Sequence, residues 1–168
     1  VVTAPDRKAG RGKKIKSSAV KIYSEEQKLT ILQPENLKDS SFIDQLIRIA
    51  PDVQVVVAFR MLPKLVWQIP NLGTINLHAS LLPNYRGAAP INWALINGEI
   101  KTGVTTFIIN QQIDTGGILL QSGITIRENE NVKTLHDRLL AIGAPLIVDT
   151  LIGLTENSLT PKYQQMIG

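Results

Sequence analysis

Short apolar runs alternate along this chain with stretches in which apolar positions recur every three or four residues. Val53–Phe59 (VQVVVAF) and Leu72–His78 (LGTINLH) read as buried strands. Between residues 40 and 50, Phe42, Ile43, Leu46, Ile47 and Ile49 fall near helical spacing, with Ser40 or Ser41 as the N-cap. PINWALIN predicts a short helix with Pro90 in its first turn and Gly98 ending it. GVTTFIIN and GGILLQSGITI are β-rich and predict a hairpin or an edge pair. A long helix from about Val132 to Gly153 closes the pattern, and Gly143 and Pro145 are expected to kink or split it. Strands alternating with helical segments predict an α/β fold built on a mostly parallel sheet. There is no repeat, low-complexity tract or interior linker.

Composition narrows this picture. The 168 residues are 43% hydrophobic, which suits one domain with a sizeable core. No apolar run approaches the roughly 20 residues of a membrane span, so a soluble protein is expected. With no cysteine and two distant histidines, neither a disulfide nor a thiolate metal site is possible, and a His-rich metal site has little to build on. The net charge of +4 is unevenly spread: residues 1–21 carry Arg7, Lys8, Arg11, Lys13, Lys14, Lys16 and Lys21 against Asp6 alone. That segment is net +6 and the other 147 residues net −2. DRKAGRGKKIKSS has no apolar period and contains Gly10 and Gly12, so it reads as a pliable loop, either solvated or following phosphates. It lacks the spacing of a phosphate-cradling loop before a helix.

The densest chemistry is INLHASLLPNYRGAAP, directly behind the second apolar strand. In open α/β sheets ligands collect beyond the carboxyl ends of strands. Asn76 and His78, two residues apart on a strand, share one side of it, while Leu77 faces the opposite way into packing. An amide beside an imidazole supplies two donors for an oxygen gaining negative charge, which acyl transfer requires. A histidine satisfying a loop is the plainer reading of His78. Asp114 in IDTGG suits a turn as well as proton transfer. Ser80 has no triad partner and reads as a hydrogen-bonding loop residue. Arg86 suits a surface turn or a contact with RNA or a folate tail; His136 reads as a surface histidine, and Trp67 and Trp93 as core fillers.

NLHASLLPNYRGAAPINWALINGE followed by TGVTTFIINQQIDTGGILLQ resembles the formyltransferases that use 10-formyltetrahydrofolate. The resemblance implies a Rossmann-like, mostly parallel sheet with helices on both faces. It also implies catalytic roles for Asn76, His78 and Asp114, and 10-formyltetrahydrofolate as formyl donor with no metal. Phe59, Met61, Ser80, Leu81, Leu82, Pro83 and Gly116 are the implied folate-side or loop residues. PDRKAGRGKKIKSSAVK resembles the basic loop of the members that act on methionyl-tRNA. It implies tRNA contacts from Arg7, Arg11, Lys13, Lys14, Lys16 and Arg86, with the α-amino group of initiator methionyl-tRNA as acceptor. A monomeric cytoplasmic enzyme of bacterial type is the corresponding expectation. An amino sugar or another small amine as acceptor, and an inactive RNA-binding fragment, remain as alternatives.

Departures are few. Gly117 stands where the family commonly has Asp, Lys8 where Pro is more usual, and AFRMLPK is one residue shorter than the family's loop. The chain opens on VVTAPD, which reads as a strand end. By the resemblance, residues 1–168 form a single partial catalytic domain that lacks the family's first strand and helix and its β-rich C-terminal domain. In a doubly wound sheet the first strand is central, so the isolated chain is expected to fold poorly.

Overall fold

The computed structural model of the protein describes residues 1–9, 14–58 and 60–165, with residues 7–9 and 14–16 described by their backbone. The chain divides into two compact units, Val1–Ala50 and Pro51–Gly168. Phe59, Arg11 and Lys13 lie outside the described residues.

In the first unit the basic segment is not simply a loop. β1 (Arg7–Ala9) pairs antiparallel with β2 (Lys14–Lys16), setting Arg7 opposite Lys16 and Ala9 opposite Lys14. Apolar periodicity misses such a ribbon, because its ladder is made by backbone groups that every residue carries. Val2 bridges Leu32 in parallel, with the Thr3 N–H donating to the Leu32 carbonyl at 3.0 Å. α1 (Ala19–Glu26) starts at Ser18, whose hydroxyl accepts from the Lys21 N–H. α2 (Ser40–Ile49) is capped by Asp39, and neither Ser40 nor Ser41 is the cap. The Asp39 carboxylate accepts the Ser41 N–H at 2.8 Å, satisfying a donor that the helix cannot. Only Phe42 and Leu46 of its apolar positions are fully buried.

The second unit carries a four-stranded sheet in the order β3 (Gln54–Val57), β4 (Thr74–His78), β5 (Lys101–Ile108), β6 (Ile118–Thr125). β3 and β4 are parallel; the β4–β5 and β5–β6 ladders are antiparallel. The sheet is therefore mixed, and among the described strands it is not mostly parallel. GVTTF and GGILLQSGIT form an antiparallel pair because the short connection between them leaves no room for a crossover. α3 (Lys64–Trp67) and α4 (Pro90–Ile96) are short; α5 (Val132–Thr155) has 24 residues.

α5 runs through Gly143 and Pro145 as one helix, so the expected split does not occur. It starts with a reciprocal cap between Asn131 and Thr134. By length and composition it is apolar enough to cross a membrane, contrary to the expectation that no run approaches that length. The sheet covers part of the helix: Leu135, Leu139 and Leu146 form a core with Val104 of β5, against which Leu77 and Leu120 pack, while Leu140, Val148 and Ile152 are exposed. A Cβ on Gly143 would lie 2.8 Å from a Leu77 methyl, so the missing side chain lets α5 approach β4 closely. The buried Thr150 hydroxyl of α5 bonds Thr106 of β5 at 2.8 Å, which places even-numbered β5 residues on the helix side. Directly opposite residues of an antiparallel pair share a face. Leu77 therefore faces α5 with its partner Thr106, while Asn76, His78, Thr105 and Phe107 share the other face.

Trp93 is half exposed and not the core filler its size suggested; Trp67 is partly buried. His136 is exposed beside Asp137, as expected of a surface histidine. Ahead of α5, Glu130 is nearly inaccessible and accepts both the Arg127 N–H at 2.9 Å and the Arg138 guanidinium at 2.6 Å. The Arg127 backbone bond, and after it Arg138, hold the Glu130 carboxyl below its ordinary 4.5 against the opposing effect of burial. A depressed carboxyl stabilises the fold above its unfolded pKa, and that contribution is lost as pH falls through the folded value. The melting temperature of Glu130→Gln should therefore lie below that of the wild type at pH 7. The gap should close as pH falls below about 4.5, the ordinary carboxyl value. Thermal unfolding followed from pH 7 to pH 3 checks this.

Candidate active site

The last residue of β4 is His78, and the chain leaves the sheet there toward Ser80–Pro83. That exit is fastened from below by one hydroxyl. Thr105, opposite His78 in the β4–β5 register, is fully buried. Its Oγ1 donates to the Ser80 carbonyl at 2.7 Å and accepts the Leu82 N–H at 3.1 Å. Gln121 of β6 donates through Nε2 to the same Oγ1 and to the Leu82 carbonyl, both at 2.9 Å. The Ser80 hydroxyl donates to the Asn84 carbonyl at 2.6 Å. The Leu82–Pro83 peptide is cis, and Leu82 is buried. Leu81 packs on Gly103, where a Cβ would lie 2.6 Å from its methyl. Ser80, Leu81 and Leu82 thus hold the loop to the sheet, in keeping with the loop role expected of Ser80.

Beyond that loop, Tyr85 and Gly87 have φ of 57° and 87° and return the chain over His78. The Tyr85 hydroxyl is tied to Glu99 and accepts from Asn97 Nδ2 at 3.1 Å. The Glu99 bond holds the Tyr85 phenol above its ordinary value of 10. So anchored, the Tyr85 carbonyl meets His78 Nε2 at 2.8 Å. A carbonyl oxygen only accepts, so Nε2 carries the proton and Nδ1 is the second polar atom of the ring. Nδ1 lies 3.5 Å from Asp114 Oδ2. The His78 and Asp114 side chains are 9% and 18% exposed, so water screens their interaction weakly.

Asp114 reaches this position from the β5–β6 connection. Asn110 Oδ1 accepts the Gln112 N–H at 2.9 Å and the Thr115 hydroxyl at 3.0 Å, closing a turn that presents Asp114 with φ 52°. Asp tolerates this left-handed conformation better than most residues. Gly116 is obligatory for steric reasons, since a Cβ there would lie 1.6 Å from the Ile108 carbonyl oxygen. Asp114 Oδ2 also accepts the Gly87 N–H at 2.8 Å, linking the two loops. Asn76, on the same face of β4 as His78, is partly buried; among the described residues its side-chain amide has no hydrogen-bond partner. It can therefore serve a bound group.

The structure brings Asn76, His78 and Asp114 to one place, with Ser80–Pro83 and Gly116 as the framework around them. Met61 is 70% exposed. Arg86, read as a surface turn residue or as a contact for RNA or a folate tail, has its Nε and Nη2 donating to Gln164 Oε1 at 3.0 and 2.7 Å. Sequence reasoning overlooked Thr105, Gln121, the Tyr85 carbonyl and the Gly87 N–H. Thr105 is one of three buried threonines in β5, so nothing in the strand's composition singles it out, and backbone groups leave no signal at all. Among the described residues no cluster of three His, Asp or Glu side chains could hold a metal ion.

The Formyl transferase family profile matches residues 1–151. The chain is 63% identical over 165 residues to the methionyl-tRNA formyltransferase of Flavobacterium johnsoniae, covering 98% of this chain and 52% of that protein. It is 51% identical to that of Bacteroides thetaiotaomicron, covering 98% of this chain and 51% of that protein. The chain thus spans about half the length of the curated relatives it matches. Among solved structures, glycinamide ribonucleotide transformylase 1 from Symbiobacterium toebii superposes with a TM-score of 0.75 at 19% identity, over 86% of this chain and 73% of that one. The formyltransferase PseJ from Anoxybacillus kamchatkensis, solved with a formamido sugar nucleotide and tetrahydrofolate, gives 0.70 at 22% identity, over 99% and 82%. These two show a shared Rossmann-like fold.

Thr105→Val keeps the shape of the side chain but strips the Ser80 carbonyl and the Leu82 N–H of their buried partner. We expect a loss of about 1–3 kcal/mol for each group left unpaired. It would be read as a lower urea midpoint, with Thr105→Ser much closer to wild type.

Proposed function

Since the chain belongs to the Formyl transferase family, we propose that the protein of which it forms a part transfers a formyl group from 10-formyltetrahydrofolate to the α-amino group of initiator methionyl-tRNA. The observation that carries this reading is the approach of His78 to Asp114 at 3.5 Å, on the face of β4 that also bears Asn76. The high identity to methionyl-tRNA formyltransferases and the basic first segment favour tRNA over an amino sugar as acceptor.

The folate supplies an activated formyl group on nitrogen. As the amine attacks, a new nitrogen–carbon bond forms, the formyl oxygen gains negative charge and the amine nitrogen becomes cationic. The Asn76 amide N–H answers that charge, joined by His78 only when Nδ1, the ring nitrogen not engaged by the Tyr85 carbonyl, carries a proton, an interaction worth about 10²–10³ in rate per donor. The amine must then lose a proton and the departing folate nitrogen must gain one. Asp114 beside the His78 ring can take up the first through the ring or through water, a role worth roughly 10²–10⁴. Donors placed beforehand and shielded from water need no reorganisation as charge develops. Ser80–Pro83, Met61, Phe59 and Gly116 are assigned to the folate side, and Arg7, Arg11, Lys13, Lys14 and Lys16 to the tRNA backbone.

Transfer of labelled formyl from 10-formyltetrahydrofolate to methionyl-tRNA by the full-length protein tests the reading, and absence of transfer rejects it. His78→Ala and Asp114→Asn should each lower kcat by orders of magnitude while leaving tRNA affinity nearly unchanged, because their interactions belong to the transition state. A variant retaining more than about a tenth of wild-type turnover is incompatible with an essential acid–base role. Replacing Arg11, Lys13 and Lys14 together with Ala should weaken tRNA binding. Its log–log salt slope should drop by about 0.9 for each phosphate that the protein no longer neutralises. An unchanged slope would return these residues to a solvated surface.

A further inference from the structure

Residues 161–165 lie beyond the stretch matched by the family profile, yet they close over the Asp114 loop. Lys162 and Ile118 exchange both backbone hydrogen bonds, each at 2.8 Å. Gly117, the departure noted in the sequence, is what allows the approach: a Cβ there would lie 2.7 Å from Pro161 Cβ. Two residues on, Gln164 Nε2 donates to the Asp114 carbonyl at 2.9 Å and to the Gly116 carbonyl at 2.8 Å. Its Oε1 accepts twice from Arg86. The orientation of this amide is unambiguous, since guanidinium only donates and backbone carbonyls only accept. Both protons and both lone pairs of Gln164 are engaged.

We propose that Gln164 is a positioning residue for Asp114, working with Arg86 as its support; the proposal rests on the catalytic reading of Asp114 given above. The bonds form a closed circuit. Gln164 holds the Asp114 carbonyl, Arg86 holds Gln164, and Gly87, next in the chain to Arg86, holds the Asp114 carboxylate. One loop is thus pinned at its backbone and its side chain by groups that are themselves tied together. Asp114 sits at a left-handed φ of 52° in an irregular connection, where the backbone bonds from Gln164 fix the peptide carbonyls at Asp114 and Gly116. The same circuit sets where the carboxylate lies relative to His78. A displacement of about 1 Å can cost about 10²-fold in rate.

The test uses the full-length protein and two substitutions. Gln164→Leu removes every bond at similar size. Gln164→Glu keeps an acceptor for Arg86 but turns an acceptor toward two carbonyls, and serves if the Leu variant fails to fold. Either should lower kcat by about 10–100-fold with KM for folate and tRNA within about threefold of wild type. Added to Asp114→Asn, either should cost less than about another twofold, because a residue acting through Asp114 has nothing left to position. Retention of more than about half of wild-type kcat, or a multiplicative loss in the double variant, overturns the proposal. Should the wild type transfer no formyl group, the function proposed above fails and the NMR resonance of the Gly87 amide proton decides this one. It should move in Gln164→Leu in the direction seen for Asp114→Asn, and coincide with that variant in the double substitution. An unmoved resonance overturns the positioning role.

Discussion

The antiparallel pairing of β4 with β5, in the register that sets His78 opposite Thr105, is the constraint on which the site depends. It puts the imidazole at the end of a strand and a buried hydroxyl beneath the turn that follows. From that hydroxyl the order spreads outward: Ser80 and Leu82 are held down, the cis Leu82–Pro83 peptide redirects the chain, and Tyr85 returns over the ring. A one-residue slip would turn His78 toward α5 and Leu77 into the polar face. In the observed register Leu77 packs where α5 comes close at Gly143, a contact that a slip would lose.

His78 comes from the end of β4 and Asp114 from the β5–β6 connection, and their side chains are only 9% and 18% exposed. With Nε2–H directed at the Tyr85 carbonyl, Nδ1 is the ring atom that faces Asp114, 3.5 Å from its Oδ2.

Much of this was legible because it is local. Alternation along TINLH placed Asn76 and His78 on one face and Leu77 on the other, and the structure agrees. The two β-rich segments paired as expected, and α5 began at the expected residue. Long-range partners were not legible, because no period or propensity marks them. Arg86 in a turn looks the same whether it meets solvent or Gln164, and a glutamine in an irregular segment carries no signal at all. The β1–β2 ribbon escaped for a different reason: strand reading relies on apolar alternation, and a cationic hairpin has none. The mixed sheet reflects topology, since strand direction depends on connection length more than on strand composition.

The seating of residues 161–165 against the Asp114 loop has a consequence for synthesis of the chain. Asp114 and Gln164 are separated by 50 positions. At about 5–20 residues per second, roughly 3–10 s pass between their incorporation on the ribosome. During that interval β4, β5 and the turn carrying Asp114 exist without the strap that completes their circuit. The surroundings of Asp114 are therefore completed only after the sheet-forming strands have been made. A chain released after α5 but before Gln164 would keep the Gly87 bond to the Asp114 carboxylate and lack the two bonds to the Asp114 and Gly116 carbonyls.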